Sequence, residues 1–337
     1  MSGLKKSDDP NASKLANREG MRQESRKLEI SEARRRRVDK DVVMEIVNLT
    51  KMYGSHVGVK NVSLTVQRGE IMGFLGPNGA GKTTTIRCCL DLIAKTEGMI
   101  TVLGLDSHRD AVAIRRRTGY LPGDFGLLPG KVKSFLRYLL SLSGCDSTKK
   151  MMTLAERLDL DLERRTNELS KGNRVKVGIV QAIMTDPELI IIDEPSGLDP
   201  LIEIEFQRIL KEEKRQGKTI FLSSHDLSQV ETVCDRVAII KNGQLRVVEK
   251  IQALREKTGK VLEVEFADQV DLKEFRIDGV SNIREENNRV TMIVHENLNS
   301  VIQALSNHRI INMNLKSYSL EKLFLKYYSE EVGGDAK

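Results

Sequence analysis

In the run Gly76-Pro77-Asn78-Gly79-Ala80-Gly81-Lys82-Thr83-Thr84, the first eight residues fit the phosphate-loop pattern G-x-x-x-x-G-K-[ST]. The glycines allow the backbone to curl so that several N–H groups face one anion. A helix leaving the loop aims its positive end at the same phosphates. Lys82 can reach the β- and γ-phosphates, and the Thr83 hydroxyl is placed to ligate Mg²⁺. Much farther along, the apolar run Leu189-Ile190-Ile191-Ile192 ends in Asp193-Glu194. A buried strand end holds Asp193 toward a metal at the loop's mouth. Glu194 then points toward the γ-phosphate, where it can orient and deprotonate a water. Together these groups could cleave a nucleotide's terminal phosphate with water. A second anion-friendly turn is Leu169-Ser170-Lys171-Gly172-Asn173, ahead of a helix. Ser170 and the amides near Gly172 read either as another phosphate contact or as a plain helix cap. One phosphate loop does not need a second such turn, but two copies facing head to tail would use it.

These residues need a scaffold of alternating elements. Val42–Val47, Val62–Val66 and Ile71–Leu75 read as strands, with Gly54 and Gly58 as turn markers and a helix over Lys82–Ile93. Apolar residues recur at helical spacing over Val132–Leu142, Lys149–Asp159 and Val175–Met184. Leu189–Ile192, Thr219–Leu222 and Val237–Ile240 suit central parallel strands, and Asn242-Gly243 marks a hairpin turn. The alternation predicts an α/β fold with a mixed sheet core, spanning residues 41–255, with a helical subdomain at about 125–170. Residues 256–337 read as a small C-terminal α+β accessory domain. Its strands are Val261–Phe266 and Val290–Val294, and its helices are Asn299–Leu305 and Leu320–Tyr328.

Composition bounds the rest. The chain has 337 residues, 39% hydrophobic and 30% charged, which supports about two folded domains. No apolar run approaches the ~20 residues of a membrane helix, and the N-terminus has no signal-peptide core. The net charge is +6, of which residues 1–40 carry +5 and the remainder +1. That arm, ending in Arg34-Arg35-Arg36-Arg37, reads as a basic, disordered or helical segment. It is either solvated or drawn to anionic lipid or nucleic acid, and of these two partners lipid is the one allowed for and no nucleic acid is expected. Cys88, Cys89, Cys145 and Cys234 match no zinc spacing and read as reduced thiols.

Over about residues 43–250 the chain resembles the ATP-binding subunits of ABC transporters, which have a P-loop NTPase cassette. The likeness rests on the Walker A loop Gly76–Thr84, the signature Leu169–Asn173 and the Walker B segment Leu189–Asp193 with Glu194. It also rests on the switch histidine His225 in Ser223-Ser224-His225-Asp226. By itself His225 reads as a polar residue at a strand end, and the resemblance implies a γ-phosphate contact. Tyr53 sits where family members stack an aromatic on adenine. Ser319–Tyr328 resembles the tail of export-type subunits from multidrug and antibiotic-efflux systems. The resemblance implies an ATPase using ATP and Mg²⁺, with two ATP molecules sandwiched between the loop of one copy and the signature of the other. Ser170, Lys171 and Gly172 would then bind nucleotide across the dimer. It also implies a separate membrane permease, export rather than import, and a peripheral position on the cytoplasmic face of the membrane. A soluble ABC ATPase acting on nucleic acid or ribosomes is the alternative. Three departures stand out. The signature reads LSKGN where LSGGQ is usual. Gly123 replaces a common glutamine that senses Mg²⁺, beside Asp124. The stretch Glu194–Asp199 is one residue short, which predicts Asp199 out of register.

Overall fold

Unbroken apolar runs make the centre of the fold. Residues 41–124, 126–144 and 147–317 are described by the structure, a computed structural model. The six-stranded sheet has the order β10-β9-β3-β8-β7-β6. Strands β3 (Ile71–Leu75), β6 (Thr118–Leu121), β7 (Leu189–Asp193), β8 (Thr219–Ser224) and β9 (Arg236–Lys241) run parallel. β10 (Gln244–Lys250) returns antiparallel from the Asn242-Gly243 turn. Every residue of β3, β7 and β8 is buried, as both faces of a covered parallel sheet require. Leu75 pairs with Ser224 and Asp193 with Ser223, so these three strands end level. The loops that leave them share one crevice at the carboxyl edge.

A second, antiparallel sheet has the order β2-β1-β4-β5, from β1 (Val42–Tyr53), β2 (His56–Gln67), β4 (Glu97–Val102) and β5 (Leu105–Asp106). Met72, Phe74, Leu189, Ile191 and Phe221 pack on this sheet and on α1 (Lys82–Cys89). The alternate residues Ile71, Leu75, Ile190, Ile192 and Leu222 face a helical core on the other side. That core is built from α3 (Val132–Ser143), α4 (Lys149–Arg157), α5 (Lys171–Ile183), α6 (Pro200–Arg215) and α7 (Leu227–Val233), with Leu254 of α8 (Ile251–Thr258). The short α2 (Ala111–Arg116) precedes β6. A third sheet, β12-β13-β11-β14, comprises β11 (Lys260–Phe266), β12 (Val280–Glu286), β13 (Arg289–Val294) and β14 (Ile310–Ser317). With α9 (Leu298–Leu305) it encloses its own core around Phe266, Phe275, Met292 and Val301.

Several local expectations change. α1 stops at Cys89, not Ile93, because Leu90 leaves the helix and Asp91 turns to a φ of 51°. α5 starts a turn earlier than expected, at Lys171, because Ser170 Oγ accepts the Asn173 amide at 3.3 Å and caps it there. Gly58 lies inside β2 rather than in a turn. A Cβ there would stand 2.8 Å from Tyr53 Cε2, so the residue type answers to a close approach. β1 and β2 exceed their expected lengths because bulges absorb the irregular apolar spacing. The arm with Arg34–Arg37, Cys145 and the helix expected over Leu320–Tyr328 lie outside the described residues. Cys88, Cys89 and Cys234 are buried free thiols, and burial pushes Cys88 up to about 11.

Candidate active site

The glycine loop leaves β3 pressed against β9 and β2. A Cβ on Gly76 would stand 2.4 Å from the Ile240 carbonyl oxygen. Gly81 has a φ of 106°, and a Cβ there would meet Val59 Cγ1 at 2.5 Å. The curl therefore needs both glycines. Pro77, Asn78 and Gly79 form the exposed crown, and Ala80 is buried beneath it. The Gly76 amide donates to Ser224 O at 3.2 Å, which ties the end of β8 to the loop.

Lys82 is buried at the centre of this curl. Its Nζ donates to Gly76 O at 2.6 Å and Pro77 O at 2.9 Å, and lies 2.8 Å from Glu194 Oε1. At the end of β7, Asp193 Oδ1 accepts from Ser223 Oγ at 2.7 Å and from Thr83 Oγ1 at 3.1 Å. Asp193 Oδ2 is buried with no hydrogen-bond partner. Burial raises the Asp193 pKa, the Ser223 and Thr83 hydroxyls lower it, and the charge of Glu194 raises it again. A lone buried carboxylate oxygen beside a threonine hydroxyl is a hard-oxygen set that fits Mg²⁺, which needs few protein ligands when phosphates supply the rest.

Glu194 takes a φ of 50°, and its amide donates to Ser223 O and Oγ at 3.2 and 3.1 Å. Adjacent carboxylates thus have different neighbours: Asp193 has Thr83, while Glu194 has Lys82 and His225, whose Nδ1 lies 3.7 Å from Oε1. His225 follows β8 and is half exposed. Tyr53 ends β1, also half exposed, with Lys51 Nζ 4.9 Å from its ring centroid. A Cβ on Gly58 would meet both Tyr53 Cε2 and, at 3.2 Å, Thr84 Cγ2, so the ring neighbours the start of α1.

Ser170, Lys171 and Gly172 are placed elsewhere. They line a cavity of about 880 Å³ with Asn173, Gly197 and Asp199, and no phosphate-loop residue forms its walls. A Cβ on Gly172 would stand 2.5 Å from Gly197 O. Asp199 caps α6, its Oδ1 accepting the Ile202 amide at 3.1 Å. Gly123 borders Asp193, where a Cβ would lie 3.1 Å from the backbone oxygen. Sequence reasoning assigned no role to Ser223 in the site or to Ile240 beneath the loop. Ser223-Ser224 just before His225 was a usable signal for the first.

A family model described as ABC transporter matches residues 59–197. The bacitracin transport ATP-binding protein BcrA of Bacillus licheniformis is 36% identical over 234 residues, 67% of this chain and 76% of the relative. The chain belongs to the ABC transporter ATP-binding proteins. A solved ATP-binding subunit of an ABC transporter matches this ABC ATPase at 30% identity with a TM-score of 0.59, covering 64% of this chain and 92% of that one. A dimeric ATP-binding cassette in a post-hydrolysis state, bound to ADP and Pi, matches at 25% identity and a TM-score of 0.57, covering 62% and 98%. The ABC cassette fold and ATPase class of this subunit follow from these likenesses.

Proposed function

We propose that this ABC ATPase binds and hydrolyses ATP in a head-to-tail homodimer and drives a separate membrane permease, as the energising subunit of an exporter. One observation carries this reading. The hydrolytic groups converge on the phosphate loop, while the signature turn opens into another cavity, so each half-site needs its complement from a second copy. In the proposed cycle Lys82 leaves Gly76 O and Pro77 O for the β- and γ-phosphates. Thr83 and Asp193 would hold Mg²⁺, which would offset the charge on the phosphate oxygens. Glu194, released from Lys82, orients a water and takes its proton. The water oxygen bonds to the γ-phosphorus as the bond to the β–γ bridging oxygen breaks, leaving ADP and phosphate. His225 steadies the γ-phosphate beside Glu194, and Tyr53 stacks on adenine. Ser170, Lys171 and Gly172 bind the partner copy's γ-phosphate. Binding closes the dimer and hydrolysis removes the bridging phosphate, which gives the permease two states.

Among the described residues no helix is long and apolar enough to cross a membrane, which supports a permease on another chain. A groove of about 640 Å³, with exposed Leu92, Val112 and Leu142 and basic Arg115 and Arg116, would seat a permease's short cytoplasmic helix. Such a contact would put the subunit on the cytoplasmic face of the membrane. The bacitracin transport relative supports a transport role, and a Nod factor export ATP-binding protein that is 35% identical over 211 residues supports the exporter class. Glu194→Gln should keep nucleotide affinity and accumulate an ATP-bound dimer, seen by sedimentation velocity with Mg·ATP, while phosphate release falls at least about 100-fold. Normal turnover in that variant would sink the general-base assignment.

A further inference from the structure

Charge joins a helix that walls the signature cavity to the helix that starts at its rim. α4 faces α6, and two basic side chains span the gap. Arg157 donates from Nε to Glu205 Oε1 at 2.7 Å and forks onto both Glu212 oxygens at 2.6 and 3.1 Å. Lys150, seven residues earlier on the same helix, donates to Glu213 Oε2 at 2.8 Å and to Asp186 Oδ1 at 2.9 Å. Glu213 is buried, and Asp186 also holds Lys218 Nζ at 3.1 Å. Met151, Leu154 and Ala155 already bind α4 into the apolar core that includes Val175, Ile179, Phe206 and Ile209. Adhesion therefore comes from apolar burial. Partly buried ion pairs add little net stability, since desolvation offsets their attraction. A two-pronged guanidinium contact adds direction and register instead.

Register matters here. α6 starts from Asp199, whose carboxylate holds the Ile202 amide and lines the cavity. Just before it Gly197 passes against Gly172 of α5, and Ala155 and Glu156 of α4 line the same cavity. Residues of α4 and α5 and the Gly197–Asp199 turn, from which α6 starts, line it together.

We propose that Arg157, supported by Lys150, is a positioning residue: its clasp of α4 onto α6 keeps the Gly197–Asp199 turn in register with Ser170–Asn173, setting the shape of the cavity that takes the partner copy's nucleotide. The functional role rests on the head-to-tail reading, while the clasp is a property of the single subunit.

Hydrogen exchange on the full-length, nucleotide-free protein tests the clasp directly. In Arg157→Gln the amides of Ile202 and Asn173 should exchange about tenfold faster, with those of Ala80–Thr85 unchanged. Unaltered exchange at Ile202 and Asn173 overturns the clasp, and so does equal acceleration across the phosphate loop. A second arm adds Arg157→Gln to Glu194→Gln. The ATP concentration for half-dimerisation should rise about tenfold, with fluorescent-ATP binding to the single subunit unchanged. Arg157→Lys, which keeps the charge but not the fork, should fall between the two. An identical dimerisation midpoint overturns the positioning role. If Glu194→Gln alone forms no dimer, the head-to-tail reading falls, and the exchange arm still decides the clasp.

Discussion

At the residue scale, Asp193 holds a charge in a place that disfavours it. One carboxylate oxygen takes two hydroxyl donors and the other takes none. Asp193→Asn keeps an oxygen for Ser223 and Thr83 and removes the buried charge. Without metal or nucleotide, the variant should be more stable than the parent at pH 7 by about 1–3 kcal/mol. The pH dependence follows from the raised pKa. The folded parent holds its proton longer than the unfolded chain, so the parent's own stability is greater at low pH and is lost as pH rises through the folded pKa. The gap between variant and parent should therefore shrink on acidification, as measured by urea unfolding across a pH series. A parent more stable than the variant at neutral pH would show that Asp193 is not penalised.

At the element scale, α6 and its cap separate structure from chemistry. Asp199→Ala should lower stability by about 1 kcal/mol, while Asp199→Asn, an equally good cap, should cost only a few tenths. Denaturant midpoints measure both, and equal losses would dismiss the cap. Any fall in phosphate release in the Asn variant then belongs to the missing charge. The phosphate loop, Asp193-Glu194 and the buried strands around them were legible because each is contiguous and strongly patterned. The Asp199-Pro200 start of α6 was an available helix signal too, yet the expected set did not include that helix. Ser223 under Asp193 and Ile240 behind Gly76 depend on strand pairing and close approach between distant segments, and Gly58 beneath Tyr53 on the pairing of β1 with β2. Local spacing gives no distances for such neighbours; only the Ser223-Ser224 pair before His225 hinted at one. β4 and β6 are short and interrupted by polar residues or glycine, which hides their period.

At the scale of the whole molecule, the third sheet has an apolar core separate from those that carry the site. Phe275 is fully buried there, 5.8 Å from the ring of Phe266. Phe275→Ala should remove about 3–5 kcal/mol from that core alone. Calorimetry with and without Mg·ATP reads the outcome: the nucleotide-responsive transition should stay in place while another falls. A single transition moved by both perturbations would mean that the cores unfold together. The separation of the loop from the signature cavity within one chain has a cellular consequence. If the site is completed by a second copy, as proposed, a lone copy offers its fuel only half an enclosure and dilute subunits would idle. On the same proposal, tethering two copies to one membrane assembly would raise their mutual concentration to about the millimolar range, and fuel would then be spent where there is cargo to move rather than adrift in solution.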